Sequence, residues 1–226
     1  MKYNMHGIDK RLATIIDHTL LKPEAGERDI LTHCEEALVY GFASVCVQPS
    51  WVRLCSSMLR SSPVAVCTVI GFPLGVNRTD TKVKETEFAA ADGADEFDVV
   101  LHQGRLKDLD HAYVEHDLAM VVRAAHAGTE SALVKVILET ASLTDEQIAD
   151  ACRIAIDAGA DFVKTSTGYG PGGATVIAVR LMRQCVGPRI GVKASGGIRT
   201  CRDALSMVEA GADRIGSSSA IAIVTQ

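Results

Sequence analysis

Two lysines in this sequence occupy positions where a buried strand normally carries an apolar side chain. Lys164 interrupts the apolar run of "DFVKTST", and Lys193 interrupts "IGVKAS" in the same way. A buried ammonium group is costly unless it is paired, so a fold that keeps a lysine there needs a reason for it. Asp98, in the apolar stretch "EFDVVLH", supplies a carboxylate of matching charge.

Side chains alternate along a strand, so the residues on one face follow from the order of the sequence. If the faces that carry Lys164, Lys193 and Asp98 point inward, two ammonium groups and a carboxylate converge. Burial and a second cation nearby both favour the neutral, nucleophilic form of an amine. The pattern therefore predicts Lys164 as a nucleophile, Lys193 as the cation that perturbs it, and Asp98 as a group that moves protons. The alternative is a buried ion pair that only orders the core.

A third lysine lies in "VKVILET", together with a carboxylate. Lys135 comes early in this stretch, which predicts a position low in the fold and a structural role in a buried pair. Glu139 comes near the end of the stretch, where it would contact the residues of the site rather than the ligand.

Glycines and hydroxyl groups follow the last two apolar stretches and predict a phosphate site. "SGGIRT" contains Gly196 and Gly197, and "GSSSAIAI" contains Ser218 and Ser219 ahead of a short helix. Glycine lets backbone N–H groups approach an anion, and a helix N-terminus adds its dipole. The glycine-rich "TGYGPGG" strengthens the prediction of a small phosphorylated ligand.

The elements that must position these residues alternate between strand and helix. Gly-Ala-Asp occurs three times, at Gly93, Gly159 and Gly211, each time between a helical pattern and an apolar run. Glycine just past a helix end supplies a left-handed C-cap, after which the chain turns into a strand. A helix over 144–158 is predicted from a capping box of Thr144 and Gln147 and from its apolar face. The predicted strands are "ATIIDHTL", "ASVCVQ", "VAVCTVI", "EFDVVLH", "LVKVILE", "FVKTST", "IGVKAS" and "RIGSSS".

Eight apolar strands that alternate with helices predict an α/β fold with a parallel sheet, closed as a (β/α)₈ TIM barrel in a single domain over residues 1–226. An open doubly wound sheet is the alternative. It usually has a glycine-rich dinucleotide turn after its first strand, which "IDHTLLKPEAG" lacks. In such barrels the active site lies at the carboxyl ends of the strands, and the loops after strands seven and eight often bind phosphate.

Composition excludes several classes of function. The 226 residues carry a formal charge of −5 and no basic run, which argues against nucleic acid or an anionic membrane as the main partner. The sequence has no apolar stretch long enough to span a membrane and no signal-peptide pattern at its N-terminus, so a cytoplasmic protein is expected.

Seven scattered cysteines without a CxxC pair predict reduced thiols. Seven histidines without an HxH or HExxH arrangement predict no metal site.

Taken together, "DFVKTSTGYGPGGAT", "IGVKASGGIRT", "EFDVV", "VKVILET" and "RIGSSS" resemble the deoxyribose-phosphate aldolase family of class I aldolases. The resemblance runs in order from "IDHTLLKPEA" almost to the last residue. It implies a TIM barrel that reversibly cleaves 2-deoxy-D-ribose 5-phosphate into acetaldehyde and D-glyceraldehyde 3-phosphate, without metal or organic cofactor. It also implies a homo-oligomer, either a dimer or a tetramer.

The resemblance assigns roles residue by residue. Lys164 matches the Schiff-base lysine, Lys193 the second lysine, and Asp98 the aspartate of the proton relay. The phosphate residues it implies are Gly196, Gly197, Ser218 and Ser219. Asp17, Thr19 and Cys46 match residues around the substrate pocket.

Two departures from the family pattern bear on the prediction. His102 stands where asparagine is usual, and the chain ends at "AIVTQ" without the longer tail that carries a terminal tyrosine in some members. Alternation from Asp98 puts His102 on the same face, nearer the end of the strand. Because the resemblance implies asparagine at this position, we expect His102 to be a hydrogen-bonding residue at the rim of the site rather than a catalytic one. Two other functions remain open: another phosphate-binding barrel enzyme, such as an isomerase or a metal aldolase, and a non-catalytic barrel that binds sugar phosphates.

Overall fold

The computed structural model describes residues 8–129 and 131–226, so the predicted domain extends beyond the described residues at positions 1–7 and 130. Eight parallel strands form a closed barrel in which each strand pairs with the next along the chain and β8 pairs with β1. The TIM-barrel prediction is therefore confirmed, and the open-sheet alternative is wrong. The strands are β1 (Ile16–Leu20), β2 (Ser44–Val47), β3 (Ala65–Ile70), β4 (Glu96–Val100), β5 (Leu133–Ile137), β6 (Phe162–Lys164), β7 (Gly191–Ser195) and β8 (Arg214–Ser217).

Helices connect the strands and cover the outside of the barrel. The α-helices are α1 (Lys10–Ala13), α2 (Glu27–Tyr40), α3 (Val52–Leu59), α4 (Thr79–Asp92), α5 (Gln103–Lys107), α6 (His111–Gly128), α7 (Asp145–Asp157), α8 (Val176–Val186), α9 (Cys201–Glu209) and α10 (Ala220–Val224). Two short 3₁₀-helices lie at Pro49–Trp51 and Thr140–Ser142. Within the described ranges, no helix is both long and apolar enough to cross a membrane.

The local signals in the sequence appear where they were expected. Thr144 and Gln147 form the capping box of α7, and Thr200 with Asp203 forms another at the start of α9. The glycines of the Gly-Ala-Asp repeats all take positive φ angles, between 85° and 110°, at the ends of α4, α7 and α9. Every strand is shorter than its predicted stretch. Strand β6, predicted over 162–167, ends at Lys164, and beyond it the Thr165 hydroxyl donates to the Ser195 carbonyl.

The barrel wall separates an apolar layer from a charged interior. On β5, Val134 and Val136 are fully buried and pack outward in the core formed with the helices, as valines and alanines do on the other strands. The residue between them, Lys135, is fully buried and points inward. Alternation along the strands thus explains how near-continuous apolar stretches hold charged groups at the centre of the fold.

Candidate active site

Asp98 on β4 lies at the centre of the barrel and binds three ammonium groups. Its Oδ2 accepts hydrogen bonds from Lys164 Nζ at 2.8 Å and from Lys193 Nζ at 2.7 Å. Its Oδ1 accepts from Lys135 Nζ at 2.9 Å. All four side chains are at most 3% exposed. The inward faces predicted for β4, β6 and β7 therefore meet, and Lys135 joins them.

Lys193 reaches Asp98 because the neighbouring strand leaves space for its stem. The chain has glycine at 216 on β8, and a Cβ atom there would approach the Lys193 Cε and the Ser195 Cβ to 3.0 Å. Lys193 and Lys164 are also direct partners in the register of β6 and β7. Adjacent strands thus present the two ammonium groups to the same carboxylate oxygen.

Three further charged groups extend this network towards the opposite end of the barrel. Asp17 on β1 forms an ion pair with Lys193 at 2.5 Å, and Glu96 on β4 forms one with Lys135 at 2.6 Å. Arg214, the first residue of β8, contacts both carboxylates: it binds Asp17 and lies 3.0 Å from Glu96 Oε2. Sequence reasoning missed the role of Arg214, although a charged residue at the start of an otherwise apolar strand is a signal of the same kind as Lys164.

The electrostatics of the network follow from burial and from these pairs. Burial by itself would raise the pKa of Asp98, but the ammonium groups of Lys135, Lys164 and Lys193 outweigh it and hold that pKa well below its ordinary value. Burial opposes the charged form of Lys193, yet the carboxylates of Asp17 and Asp98 raise its pKa above the ordinary value. Asp98 is therefore a carboxylate at neutral pH, and Lys193 is a cation beside Lys164.

The side chain of Lys164 borders a cavity of about 300 Å³ at the carboxyl end of the strands. Gly196, Gly197 and Ser218 line the same cavity, so the predicted phosphate residues of loops seven and eight face the predicted nucleophile. The cations Lys22 and Arg199 are also part of the wall, together with Thr19, Thr167 and Tyr169. Gly197 has a φ of 80°, a backbone conformation that residues other than glycine rarely adopt.

Tyr169 connects two of the loops around the cavity. Its hydroxyl donates to the Leu21 carbonyl at 3.0 Å, and its ring meets the Phe72 ring edge-on at 5.5 Å. Tyr169 lies in the loop after β6. Glu139 fixes this loop, because it accepts hydrogen bonds from the backbone N–H and the hydroxyl of Thr167. Glu139 therefore acts on the loop after β6, in agreement with the supporting position predicted for it.

The other residues taken from the resemblance divide into two groups. Thr19 lies in the cavity wall. Asp17 lies deeper, between Lys193 and Arg214, and Cys46 packs in a buried cluster with Leu21 and other apolar side chains inside the barrel. Ser219 is the N-cap residue of α10, one position beyond the cavity residue Ser218.

The prediction that His102 shares a face with Asp98 is wrong. Strand β4 ends at Val100, so alternation does not continue to His102. His102 is instead the N-cap of α5, where its Nδ1 accepts a hydrogen bond from the Arg105 backbone N–H at 3.3 Å. Its ring lies edge-on to Tyr113 of α6, with 5.7 Å between centroids, and thus belongs to the helical layer.

Three groups of potential metal ligands occur among the described residues. Two lie inside the barrel, Cys46–Cys67–Asp98 and Asp17–Cys67–Glu96, and their carboxylates already bind ammonium or guanidinium groups that would compete with a metal ion. The third, His18–His33–Glu36, lies between β1 and α2. Its two imidazole rings are stacked 3.7 Å apart, and burial together with the neighbouring His18 lowers the pKa of His33 to about 3. Its groups already bind one another, since His18 Nε2 lies 2.8 Å from Glu36 Oε2 and His33 Nε2 lies 3.0 Å from the His18 carbonyl oxygen.

Comparisons with known proteins agree with this fold. Residues 11–225 match the model of the family described as "DeoC/LacD family aldolase". The chain belongs to this family. It is 57% identical over 215 residues to "Deoxyribose-phosphate aldolase 1" of Bacillus licheniformis, with 95% of each chain covered. It is also 57% identical to the deoxyribose-phosphate aldolase of Bacillus subtilis, with 94% of each chain covered.

A solved structure supports the same family assignment. The deoxyribose phosphate aldolase of Aeropyrum pernix superposes with a TM-score of 0.89 at 38% identity, over 95% of this chain and 90% of that one. Its title describes a tetrameric structure of that protein. This chain is therefore an aldolase of the DeoC/LacD family, as indicated by the family model, the curated relatives and the barrel fold.

Proposed function

We propose that this chain is a class I deoxyribose-phosphate aldolase that reversibly cleaves 2-deoxy-D-ribose 5-phosphate into acetaldehyde and D-glyceraldehyde 3-phosphate. The main support is the position of Lys164, whose side chain borders the cavity while its Nζ lies 2.8 Å from Asp98 and shares that oxygen with Lys193. An amine that is reachable from the cavity but otherwise 97% buried suits covalent catalysis on an aldehyde. The high identity to curated aldolases of this name supports the substrate.

The first step is attack on the substrate aldehyde. The neutral amine of Lys164 adds to C1 of the open-chain sugar, and the carbinolamine that forms then loses water to give a protonated imine. Lys193 favours the neutral amine because it is a second cation on the same Asp98 oxygen. Asp98 stays ionised and stabilises the positive charge that reappears on the imine nitrogen.

The second step breaks the bond between C2 and C3. A base removes the proton from the C3 hydroxyl, the C2–C3 electron pair moves into the imine, and D-glyceraldehyde 3-phosphate leaves. The enamine that remains on Lys164 takes up a proton at C2, and water then releases acetaldehyde and regenerates the amine. Lys193 is suited to relay these protons while Asp98 stays ionised, because the two groups are in direct contact at 2.7 Å and Lys164 binds the same Asp98 oxygen.

The phosphate would bind at the side of the cavity formed by Gly196, Gly197 and Ser218. Backbone N–H groups at glycines approach an anion closely, and the nearby Lys22 and Arg199 add positive charge. Thr19 in the wall and Asp17 beneath it would contribute to substrate placement through hydrogen bonds and charge. Cys46 and Ser219 would act from behind the wall, since one packs in the barrel interior and the other caps α10.

The remaining properties follow the resemblance. The chain would work without metal or organic cofactor, in the cytoplasm, on a small-molecule substrate and without nucleic acid or membrane. It would form a homo-oligomer, a dimer or a tetramer, and the structure of the Aeropyrum pernix relative is an example of the larger assembly.

A cleavage assay tests this function directly. Purified protein supplied with 2-deoxy-D-ribose 5-phosphate should release acetaldehyde and D-glyceraldehyde 3-phosphate, each measured with its own coupling dehydrogenase. Lys164→Met should abolish the release of both products. The matched control is Lys84→Met, which removes a surface lysine paired with Glu87 and should leave turnover unchanged. An isomerised sugar phosphate as the only product, or full activity in Lys164→Met, would contradict the proposal.

A further inference from the structure

The charged groups inside the barrel form a closed ring of alternating sign. Each neighbouring pair is in contact: Lys193 with Asp17 and Asp98, Lys135 with Asp98 and Glu96, and Arg214 with Glu96 and Asp17. This ionic ring consists of Arg214, Asp17, Lys193, Asp98, Lys135 and Glu96. It runs from the start of β8, at the end of the barrel away from the cavity, up to the level of Asp98.

The ring balances its own charge without Lys164. It contains three cations and three carboxylates, and every ring cation contacts two carboxylates. Lys164 is the fourth cation, and its contact in the network is Asp98, whose oxygens also bind Lys193 and Lys135. When Lys164 releases its proton, the whole network becomes neutral. For a buried network that is the least costly state, because a net buried charge is expensive.

The charge of Arg214 makes the network neutral when Lys164 is neutral, although Arg214 does not line the cavity. Its guanidinium contacts Asp17 and Glu96, and it is the one ring cation that begins a strand at the far end. Without its charge, the three carboxylates would face the ammonium groups of Lys135, Lys193 and Lys164. The network would then be neutral only with Lys164 protonated.

We propose that Arg214 is a positioning residue that favours the neutral amine of Lys164 by completing the charge balance of the ionic ring from the opposite end of the barrel. This inference rests on the proposed Schiff-base function and names a part of the machinery that lies outside the cavity. Among the described residues, the other titratable groups near the network include the thiols of Cys46 on β2 and Cys67 on β3, and Lys22, Arg199 and Tyr169 line the cavity that Lys164 borders. A hydrogen bond with Cys67 lowers the pKa of the Cys46 thiol. Burial raises the pKa of Cys67 well above its ordinary value, so its thiol adds no charge.

The test is the pH dependence of Schiff-base trapping by borohydride in the presence of acetaldehyde. Arg214→Gln should move the midpoint of trapping on Lys164 up by about one pH unit, the scale of a unit charge about 10 Å away in a protein interior. Glu96→Gln removes an anion and should move the midpoint down by a similar amount. The double variant Arg214→Gln/Glu96→Gln removes one charge of each sign and should return the midpoint towards the parent value.

Two further variants separate charge from general damage. Arg214→Lys keeps the charge and should keep the midpoint near that of the parent, even where the altered contacts lower stability. Arg183→Gln is the matched control, because Arg183 also makes several hydrogen bonds and an ion pair, with Asp213, but lies outside the ring. It should leave the midpoint unchanged.

The outcomes distinguish this inference from the proposed function. Opposite shifts in the single variants, with recovery in the double variant, would support the charge balance, since a merely structural role gives no recovery. Trapping on Lys164 in all variants with one common midpoint would overturn the role of Arg214 and leave the Schiff-base function intact. Trapping that is missing from Lys164 in the parent protein would overturn the function, and the inference with it.

Discussion

The Asp98→Asn substitution removes the negative charge at the centre of the barrel interior. It keeps the shape of the side chain and removes the charge that three ammonium groups share at 2.7–2.9 Å. Breaking a buried ion pair by removing one partner costs about 3–5 kcal/mol. Lys193 keeps Asp17 and Lys135 keeps Glu96, so two of the three lysines retain a carboxylate partner in the variant. We therefore expect the free energy of unfolding of Asp98→Asn to be lower than that of the parent by about 3 kcal/mol, near the lower end of this range.

The pH dependence of this loss follows from the pKa shifts. The pKa of Asp98 is lowered, so its contribution to stability is present above its ordinary value of about 4 and is lost as the pH falls through the lowered value. The pKa of Lys193 is raised, so its contribution is present below about 10 and is lost as the pH rises through the raised value. The difference in free energy of unfolding between parent and variant should therefore stay nearly constant from about pH 5 to pH 9.

Urea unfolding followed by circular dichroism, at matched protein concentrations, measures this difference. The matched control is Asp92→Asn, which breaks an exposed pair with Arg53 and should cost at most about 1 kcal/mol. Turnover of 2-deoxy-D-ribose 5-phosphate should fall about 100-fold or more in Asp98→Asn, the scale of a lost proton-transfer group. A loss of stability at pH 7 no larger than that of the control would refute the account of Asp98 as the charge centre.

Four further tests have defined outcomes. Lys193→Leu removes the second cation, so the midpoint pH of borohydride trapping on Lys164 should rise and turnover should fall severely; an unchanged pH profile would make Lys193 structural. Ser218→Asp puts a negative charge in the cavity wall and should weaken binding of deoxyribose 5-phosphate far more than turnover of unphosphorylated deoxyribose, whereas Ser219→Asp should do so less; equal losses for both substrates would argue against a phosphate site here. EDTA should leave turnover unchanged, and inactivation would favour a metal aldolase. His102→Asn should keep turnover within a few-fold because asparagine also caps a helix well, and a loss of about 100-fold with a shifted pH profile would make the histidine catalytic.

Much of the barrel could be predicted because each unit carries its own local signals. Apolar strands, a helix with its capping box and a glycine at the helix end recur along the chain, and they require only neighbouring residues to be read. Alternation then placed Lys164, Lys193 and Asp98 on inward faces, because all three lie within regular strands.

The same rule failed where the strand ended. His102 follows β4 by two positions, and its ring turns to cap α5 and to meet Tyr113. Alternation holds only while backbone pairing continues, and the sequence does not mark the last paired residue of β4. Strand β6 likewise ends earlier than predicted, at Lys164, and the Thr165 hydroxyl beyond it donates to the Ser195 carbonyl.

The ionic ring could not be read from the sequence because closure of the barrel creates it. Arg214 and Asp17 are 197 residues apart along the chain, and they meet because β8 pairs with β1. Glu96 reaches Arg214 from β4 across the barrel interior. Sequence alternation predicts which side chains point inward, but the partners across the interior depend on how many strands close the barrel and in which register.

The central claim is that Lys164 forms the covalent bond to the substrate aldehyde. The measurement that tests it most directly is borohydride reduction in the presence of acetaldehyde, followed by peptide mass mapping of the modified protein. The reduced adduct adds a two-carbon unit, and we expect it on the peptide that contains Lys164. A two-carbon adduct on Lys193 or Lys135, with Lys164 unmodified, would contradict the account.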